Sequence, residues 1–343
     1  MTCKPAPVLA AETRPQPWVG SVSRGDAVDG VFLLRRLELR QTRGVTYLSA
    51  ELSDRTGSIA ARLWQPGISL LERLRSTPYA HATGTVKRCE PDPQDARAEH
   101  ELQVDLQTLA PAHAADAVLR DLHEHTPADP DALLASLRAT FLSEVEDVHV
   151  RTLLVSFLDD PALVAKLRTA PAASSFHHSY VGGLIEHIHS LAGVALNMCA
   201  AYPRLDRGLM LAGVFLHDVG KIDELSWERG LQYTDRGQLV GHIGIGLLLL
   251  EEKIRAIPGF PAQLRDVLGH LILSHHGTKE FGSPVLPVTP EAFAVHAIDN
   301  LDGKLWSAWR AIDDPRGEPG WTAHNRHLGR KLYRGGGEEA APH

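Results

Sequence analysis

The chain changes its hydrophobic period once, and that change constrains the fold more than any other feature. Between Val28 and Leu109 the apolar residues come in short runs with period-two stretches: 31–34, 47–52, 58–64, 82–86 and 101–106. Turn residues separate them, Arg43-Gly44 after the first and Asp54-Arg55-Thr56-Gly57 after the second. Short alternating segments punctuated in this way predict a small closed barrel of five strands. From Asp131 onward the apolar residues recur at helical spacing, and the segments 131–145, 148–168, 180–201, 206–218, 238–256, 260–275 and 290–311 are expected as helices. Thr289-Pro290-Glu291 is a clear helix start, with a capping hydroxyl, proline at the first helical position and an early acid.

Five strands in a segment of this size match an OB-fold. The expected fold class is therefore multidomain α and β: a small N-terminal OB-fold β-barrel followed by an all-α helical bundle. The expected domains are a flexible arm over 1–17, the barrel over 18–112, a linker over 113–130, the helical domain over 131–312 and a flexible, Gly/Pro-rich tail over 313–343. A length of 343 residues suits two domains.

Charge follows the same division. The chain carries a net −7, yet residues 14–88 hold 12 Lys/Arg against 6 Asp/Glu, which leaves −13 for the rest. A basic module joined to an acidic partner domain is the pattern expected of a polyanion-binding segment attached to something else. The three cysteines, Cys3, Cys89 and Cys199, are far apart, so neither a disulfide framework nor a thiolate zinc site is expected. The longest apolar runs, Leu209 to Leu216 and Ile243 to Leu250, fall short of a membrane span, and the first eighteen residues lack an apolar leader core. No membrane partner and a cytoplasmic location are the expectations.

Histidine supplies the chemistry. Ten of the 19 histidines lie between His177 and His296, in the helical half. His217-Asp218 closes an apolar helix that Gly220 can terminate, and adjacent helical residues point about 100° apart, so the pair can flank one ion. His187 lies on the stripe of Leu184 and Leu191. His242 follows Gly241, His275 and His276 close a further helix, and Asp299 lies in Ala297-Ile298-Asp299-Asn300-Leu301. Buried imidazoles and carboxylates are costly unless paired or metal-bound. Five helices giving one or two such groups each is how bundle metal sites are built.

The set His187, His217-Asp218, His242, His275-His276 and Asp299 resembles the HD superfamily of metal-dependent phosphohydrolases. The local wording is narrower: Pro171-Ala172-Ala173, His177-His178-Ser179-Tyr180-Val181-Gly182-Gly183-Leu184, Gly241-His242-Ile243, Leu273-Ser274-His275-His276-Gly277, Gly282-Ser283-Pro284-Val285-Leu286-Pro287 and Asp299-Asn300-Leu301-Asp302. This series resembles the YhaM family of 3′-to-5′ exoribonucleases, which joins an OB-fold to an HD domain. The resemblance spans roughly 18–310. It implies His187, His217, Asp218 and Asp299 as core metal ligands, His242, His275 and His276 as ligands of a second ion, and Asp218 as the bridge. Two ions so placed activate a water and steady the attacking and leaving oxygens of a phosphodiester. Lys221, three residues after the pair, is implied as a phosphate contact, against the plainer reading of a surface lysine. His178 supports the site or touches substrate, or is a surface histidine; Asp302, one turn past Asp299, is placed to hold a ligand histidine. Phe281 either stacks on a base or packs. Imidazole and carboxylate without thiolate suit Mn²⁺, Fe²⁺, Co²⁺ or Ni²⁺ more than Mg²⁺. The family favours Mn²⁺, as one or two ions.

In the barrel, Phe32, Tyr47 and Trp64 alternate with Arg35, Arg36, Arg40, Arg43, Arg55 and Arg62, as single-strand binding by an OB-fold requires, although some of the aromatics must fill the core. The leading expectation is a metal-dependent 3′-to-5′ exoribonuclease acting on single-stranded RNA, with single-stranded DNA and a homo-oligomer left open and 5′-mononucleotides as products. Two alternatives stand beside it: an HD hydrolase of a nucleotide or other small phosphoester, and a non-catalytic strand-binding module with a structural metal. Gly277-Thr278-Lys279-Glu280 lacks the Gly-Tyr-Pro signature of cyclic-di-GMP phosphodiesterases.

Overall fold

The computed structural model describes residues 18–42, 44–67, 69–88, 102–112, 119–173, 179–227, 231–314, 317–325 and 327–335. The chain divides into two compact units between Glu124 and His125. Each has its own apolar core.

The first unit is a closed five-stranded barrel of β1 (Ala27–Thr42), β2 (Val45–Asp54), β3 (Gly57–Trp64), β4 (Tyr79–Arg88) and β5 (Leu102–Pro111). The strand order is β1-β2-β3-β5-β4, with β4 closing back on β1 and only β3 and β5 parallel. β1 far exceeds the predicted 31–34 because it serves two neighbours. Residues 27–33 pair with β4 and 33–42 with β2, and a bulge between Leu34 and Arg36 turns the strand from one to the other. Its outer half is charged, so no alternating apolar pattern announces it. Phe32, Leu48, Leu52, Ile59 and Val104 fill the interior, with Leu74 of a short helix α1 (Leu70–Arg75). The expected 47–52 and 58–64 strands join through a turn in which Asp54 accepts from Thr56 N at 2.9 Å and also from Val19 N.

The expected linker is in part structured. Helix α2 (Leu119–Leu122) belongs to the barrel unit, where Arg55 N donates to Asp121 O at 3.0 Å and Tyr79 Oη lies 3.3 Å from His123 Nε2. Helix α3 (Pro130–Glu144) opens at Pro130, one residue before the expected start, and Asp129 caps it by accepting from Asp131 N.

The helical unit continues with α4 (Val148–Leu158), α5 (Pro161–Leu167), α6 (Gly183–Ala201), α7 (Arg207–Leu216), α8 (Lys221–Glu224), α9 (Asp235–Arg255), α10 (Ala262–Ser274) and α11 (Pro290–Asp313). The single helix expected over 148–168 is two. Asp160 caps α5 by accepting from Ala162 N and Leu163 N, and Pro161 takes its first position, which stops α4. α7 is the central helix, its residues from Met210 to Leu216 all buried. Phe215 meets Phe141 and Phe157 edge to face, with ring centroids 5.5 and 5.6 Å apart. α6 is long and apolar enough by composition to cross a membrane, but nine of its residues, including His187, are buried in the unit's interior.

Two small hairpins depart from the all-α expectation: β6 (Leu225–Ser226) with β7 (Gln232–Tyr233), and β8 (Gly317–Glu318) with β9 (Trp321–Thr322). The second, with bridges from Trp321 to Tyr333 and from Asn325 to Arg330, replaces part of the expected flexible tail with ordered chain.

Candidate metal centre and barrel surface

Each helix brings its group to the centre by a local device. His187 sits on the buried face of α6 between Leu184 and Leu191. α7 ends at His217, whose Nδ1 donates to Val214 O at 2.8 Å, so Nε2 turns inward. His275 repeats this at the end of α10, with Nδ1 2.8 Å from Ile272 O. Gly241 interrupts α9 with φ +70° and ψ 156°, a backbone few residues other than glycine adopt, and this redirects the helix so that His242 faces the site. α11 presents Asp299 and, one turn on, Asp302.

Two donor sets result. In the first, His187, His217, Asp218 and Asp299 each direct one ligand atom into a space where all four lie within 4.8 Å of one another. Asp299 Oδ1 is 3.3 Å from His187 Nε2 and 3.7 Å from His217 Nε2, while Asp218 Oδ2 is 3.3 Å from His217 Nε2. His242, His275 and His276 form the second set. Asp218 belongs to both, since its other oxygen, Oδ1, lies 3.6 Å from His242 Nε2 and 3.7 Å from His275 Nε2.

The donors fit divalent cations. Asp218 Oδ1, His242 Nε2, His275 Nε2 and His276 Nδ1 are buried and have no hydrogen-bond partner among the described residues. Leaving four such atoms unsatisfied costs about 1–3 kcal/mol each, and a cation among them removes that cost. Nitrogen and carboxylate oxygen without thiolate suit first-row divalent ions.

Neighbouring charges oppose burial at several of these groups. Burial lowers the pKa of His217, but Asp218 and Asp299 beside it override this and raise it to about 10. His187 is raised in the same way, by Asp299 and Asp302 against burial. Burial favours the neutral acid at Asp218, and Lys221 and His217 reverse this and hold it well below the usual carboxylate range. Asp299 is held low against burial by His187 and His217. His275 is pushed well down by burial and then by His217, so it stays a neutral donor.

The residues around the donors orient them. Asp302 Oδ2 lies 2.9 Å from His187 Nδ1, fixing which nitrogen faces inward. Glu224 does the same for His242, accepting from its backbone N at 2.8 Å and from Nδ1 at 2.9 Å. Sequence reasoning missed Glu224; its signal was an acid six residues after Asp218 at the end of a turn-length helix. Lys221 is not a surface lysine: its side chain is largely buried and Nζ donates to Asp218 Oδ2 at 2.6 Å. His296 Nδ1 donates to His275 O at 2.8 Å, bracing the end of α10. His189 meets Ser136 Oγ at 3.0 Å and His270 Nε2 accepts from Val288 N at 3.1 Å, both away from the donors. Phe281 is exposed. His178 lies outside the described residues.

On the barrel, register places Arg40, Tyr47 and Trp64 side by side across β1, β2 and β3, with Glu38, Ser49, Arg62 and Asp105 in the next row. The basic candidates are more neutralised than the charge count implies. Arg36 pairs with Glu51 at 3.3 Å and Arg40 with Glu38 at 2.9 Å. Arg62 lies over the Tyr47 ring at 5.2 Å, and Arg55 over the Trp18 ring at 4.2 Å. Arg35 is exposed and has no carboxylate partner among the described residues. Arg43 lies outside them. Of the three aromatics, Phe32 is in the core and Tyr47 is buried, so Trp64 alone presents an open ring.

The barrel followed by a helical His/Asp centre defines a class, an HD-domain metallohydrolase with an N-terminal OB-type module, and residues 184–304 match the HD domain family model. The curated relatives narrow this. The chain is 35% identical to the 3′-5′ exoribonuclease YhaM of Shouchella clausii (strain KSM-K16) over 303 residues, covering 86% of this chain and 89% of that protein. It is 32% identical to the protein of the same name from Halalkalibacterium halodurans, at 86% and 88% coverage, and 31% identical to that of Bacillus subtilis (strain 168), at 86% and 90%. The chain belongs to the YhaM 3′-5′ exoribonuclease family.

Proposed function

We propose that the chain is a divalent-metal-dependent hydrolase that removes nucleotides from the 3′ end of single-stranded RNA and releases nucleoside 5′-monophosphates. The observation that carries the reading is the position of Asp218, one buried carboxylate whose two oxygens face two separate donor sets, in a chain that shares more than four-fifths of its length with exoribonucleases. His187, His217, Asp218 and Asp299 would hold one ion, and His242, His275, His276 and Asp218 a second. Divalent ions there supply the positive charge that activates water and offsets the charge developing on a phosphodiester. Mn²⁺ is the ion we assign, on the nitrogen-rich donor set and the family.

The chain's own residues do the rest. Asp302, Glu224 and the carbonyls of Val214 and Ile272 each hold one imidazole nitrogen, so the opposite nitrogens converge without a reorganisation cost during reaction. Lys221, kept protonated by Asp218 against the opposing effect of burial, would contact a phosphate oxygen. The barrel would hold the strand through Trp64 and its arginines. A buried free thiol at Cys199 supports a reducing, cytoplasmic setting.

The test is a 5′-labelled single-stranded RNA incubated with the protein and Mn²⁺. A ladder of progressively shortened labelled products with release of 5′-mononucleotides, abolished by chelator, is expected. Internal cuts without a ladder, or undiminished degradation in chelator, would remove the reading.

A further inference from the structure

The barrel carries a cleft of about 200 Å³ at the β1 bulge. It opens where register skips Arg35: Leu34 pairs with Leu52 and Arg36 with Glu51, so Arg35 is the extra residue that the bulge turns out of the sheet. Arg35, Arg36 and Arg75 line it together with the part-buried apolar side chains of Leu34, Leu37 and Pro78. Arg36 shares its charge with Glu51 at 3.3 Å. Arg35 and Arg75 are exposed and have no carboxylate partner among the described residues, in contrast to Arg40 on the same strand, which Glu38 neutralises.

Two guanidiniums without a carboxylate partner among the described residues, lining the same cleft as a third, suit the oxygens of a phosphate, which arginine engages through paired N–H donors. A simple anion would use only the cations and leave the leucine and proline side chains in water. A ligand that joins a phosphate to a flat, weakly polar ring uses both. We infer that this cleft binds a nucleoside phosphate, either as one nucleotide of a bound strand or as a free 5′-mononucleotide. The strand form rests on the exoribonuclease reading, and the free form does not.

The test uses the full-length protein in chelator, so that binding is read apart from turnover, with adenosine 5′-monophosphate and a twelve-residue oligoadenylate as probes over a series of salt concentrations. Each phosphate contact contributes about 0.7 to the slope of log affinity against log salt for a single strand. If the strand is the ligand, Arg35→Gln and Arg75→Gln should each flatten the oligoadenylate slope by about 0.7, and the double variant by about 1.4. Arg35→Lys with Arg75→Lys should keep the slope, since the charges remain. If the free nucleotide is the ligand, the monophosphate binds the wild-type protein, adenosine does not, and the double Gln variant loses at least about tenfold in affinity, the loss expected for a charge-assisted contact. Either result supports the cleft. Unchanged affinity and slope for both probes, in a double variant that melts like the wild type, would overturn it. A protein that binds the monophosphate here yet never shortens RNA would sink the proposed function and leave the cleft standing.

Discussion

Asp218 joins the two donor sets, but the residues that hold its neighbours decide how well they work. Glu224 is the most informative, because it grips His242 at both the backbone and the ring. Glu224→Ala should weaken metal binding about 10–100-fold, as expected when an outer hydrogen bond to a ligand histidine is lost. Glu224→Gln keeps an accepting oxygen and should recover most of that loss; calorimetric metal titration of the two variants separates orientation from charge. Protons give a second residue-scale prediction. With its pKa raised from 6.5 to about 10, His217 is protonated in the metal-free protein at neutral pH. A metal ion needs the neutral ring, so binding must displace that proton. Apparent metal affinity should therefore rise with pH up to about 10 and flatten above. Titrations at pH 8 in buffers of different ionisation enthalpy should show at least one proton released per chain. Zero release would mean that His217 is not a ligand.

Elements meet at this site by close backbone approach, and glycine permits it. A Cβ on Gly220 would lie 2.0 Å from His242 O and 2.7 Å from Gly246 N, so the turn after His217-Asp218 is pressed against α9 where that helix delivers His242. Gly220 has φ −65°, an ordinary helical value, so its role is to leave room for α9 and not to end α7 in a left-handed turn, as the sequence suggested. Gly220→Ala should destabilise the protein by about 1–3 kcal/mol, the usual cost of overpacking, and lower metal content through His242, read by thermal melting and metal analysis. Helix existence was legible because Asp206, Thr289-Pro290 and the apolar stripes of α6 and α7 are local signals. The long β1 was not, because its polar half is held by pairing to β2 rather than by burial. The break at Asp160-Pro161 was legible in principle, being a cap followed by proline, but the apolar spacing runs on through it. Glu224 escaped notice because what it holds is fixed by α9, eighteen residues ahead.

For the whole molecule, the separation of cores matters most. The helical core is built from residues 134–298 and the barrel core from 19–109. A chain beginning at His125 should therefore fold cooperatively and keep its metal and its hydrolysis of dinucleotides, while binding long single strands less tightly than the full protein. Equal affinity for a long strand would show that the barrel does not hold the substrate. A cut at residue 112, where sequence alone placed the boundary, would strand α2 from the barrel that Asp121 and His123 contact. The candidate donor set was legible at the scale of the whole chain because five helices each spend a buried or part-buried position on a histidine or aspartate, which is costly unless the groups are paired or share an ion. Which nitrogen faces inward was not, since that depends on Asp302, Glu224 and two carbonyls. The measurement that bears most directly on the site is a Mn²⁺ titration of the metal-stripped wild type and of Asp218→Ala, with bound metal and RNA hydrolysis read at each addition. Two ions per wild-type chain are predicted, with hydrolysis appearing as the second binds, and at least about a hundredfold less hydrolysis in Asp218→Ala, which loses the several kcal/mol of charge stabilisation both ions provide. Wild-type metal content and rate in a folded Asp218→Ala protein would contradict the account.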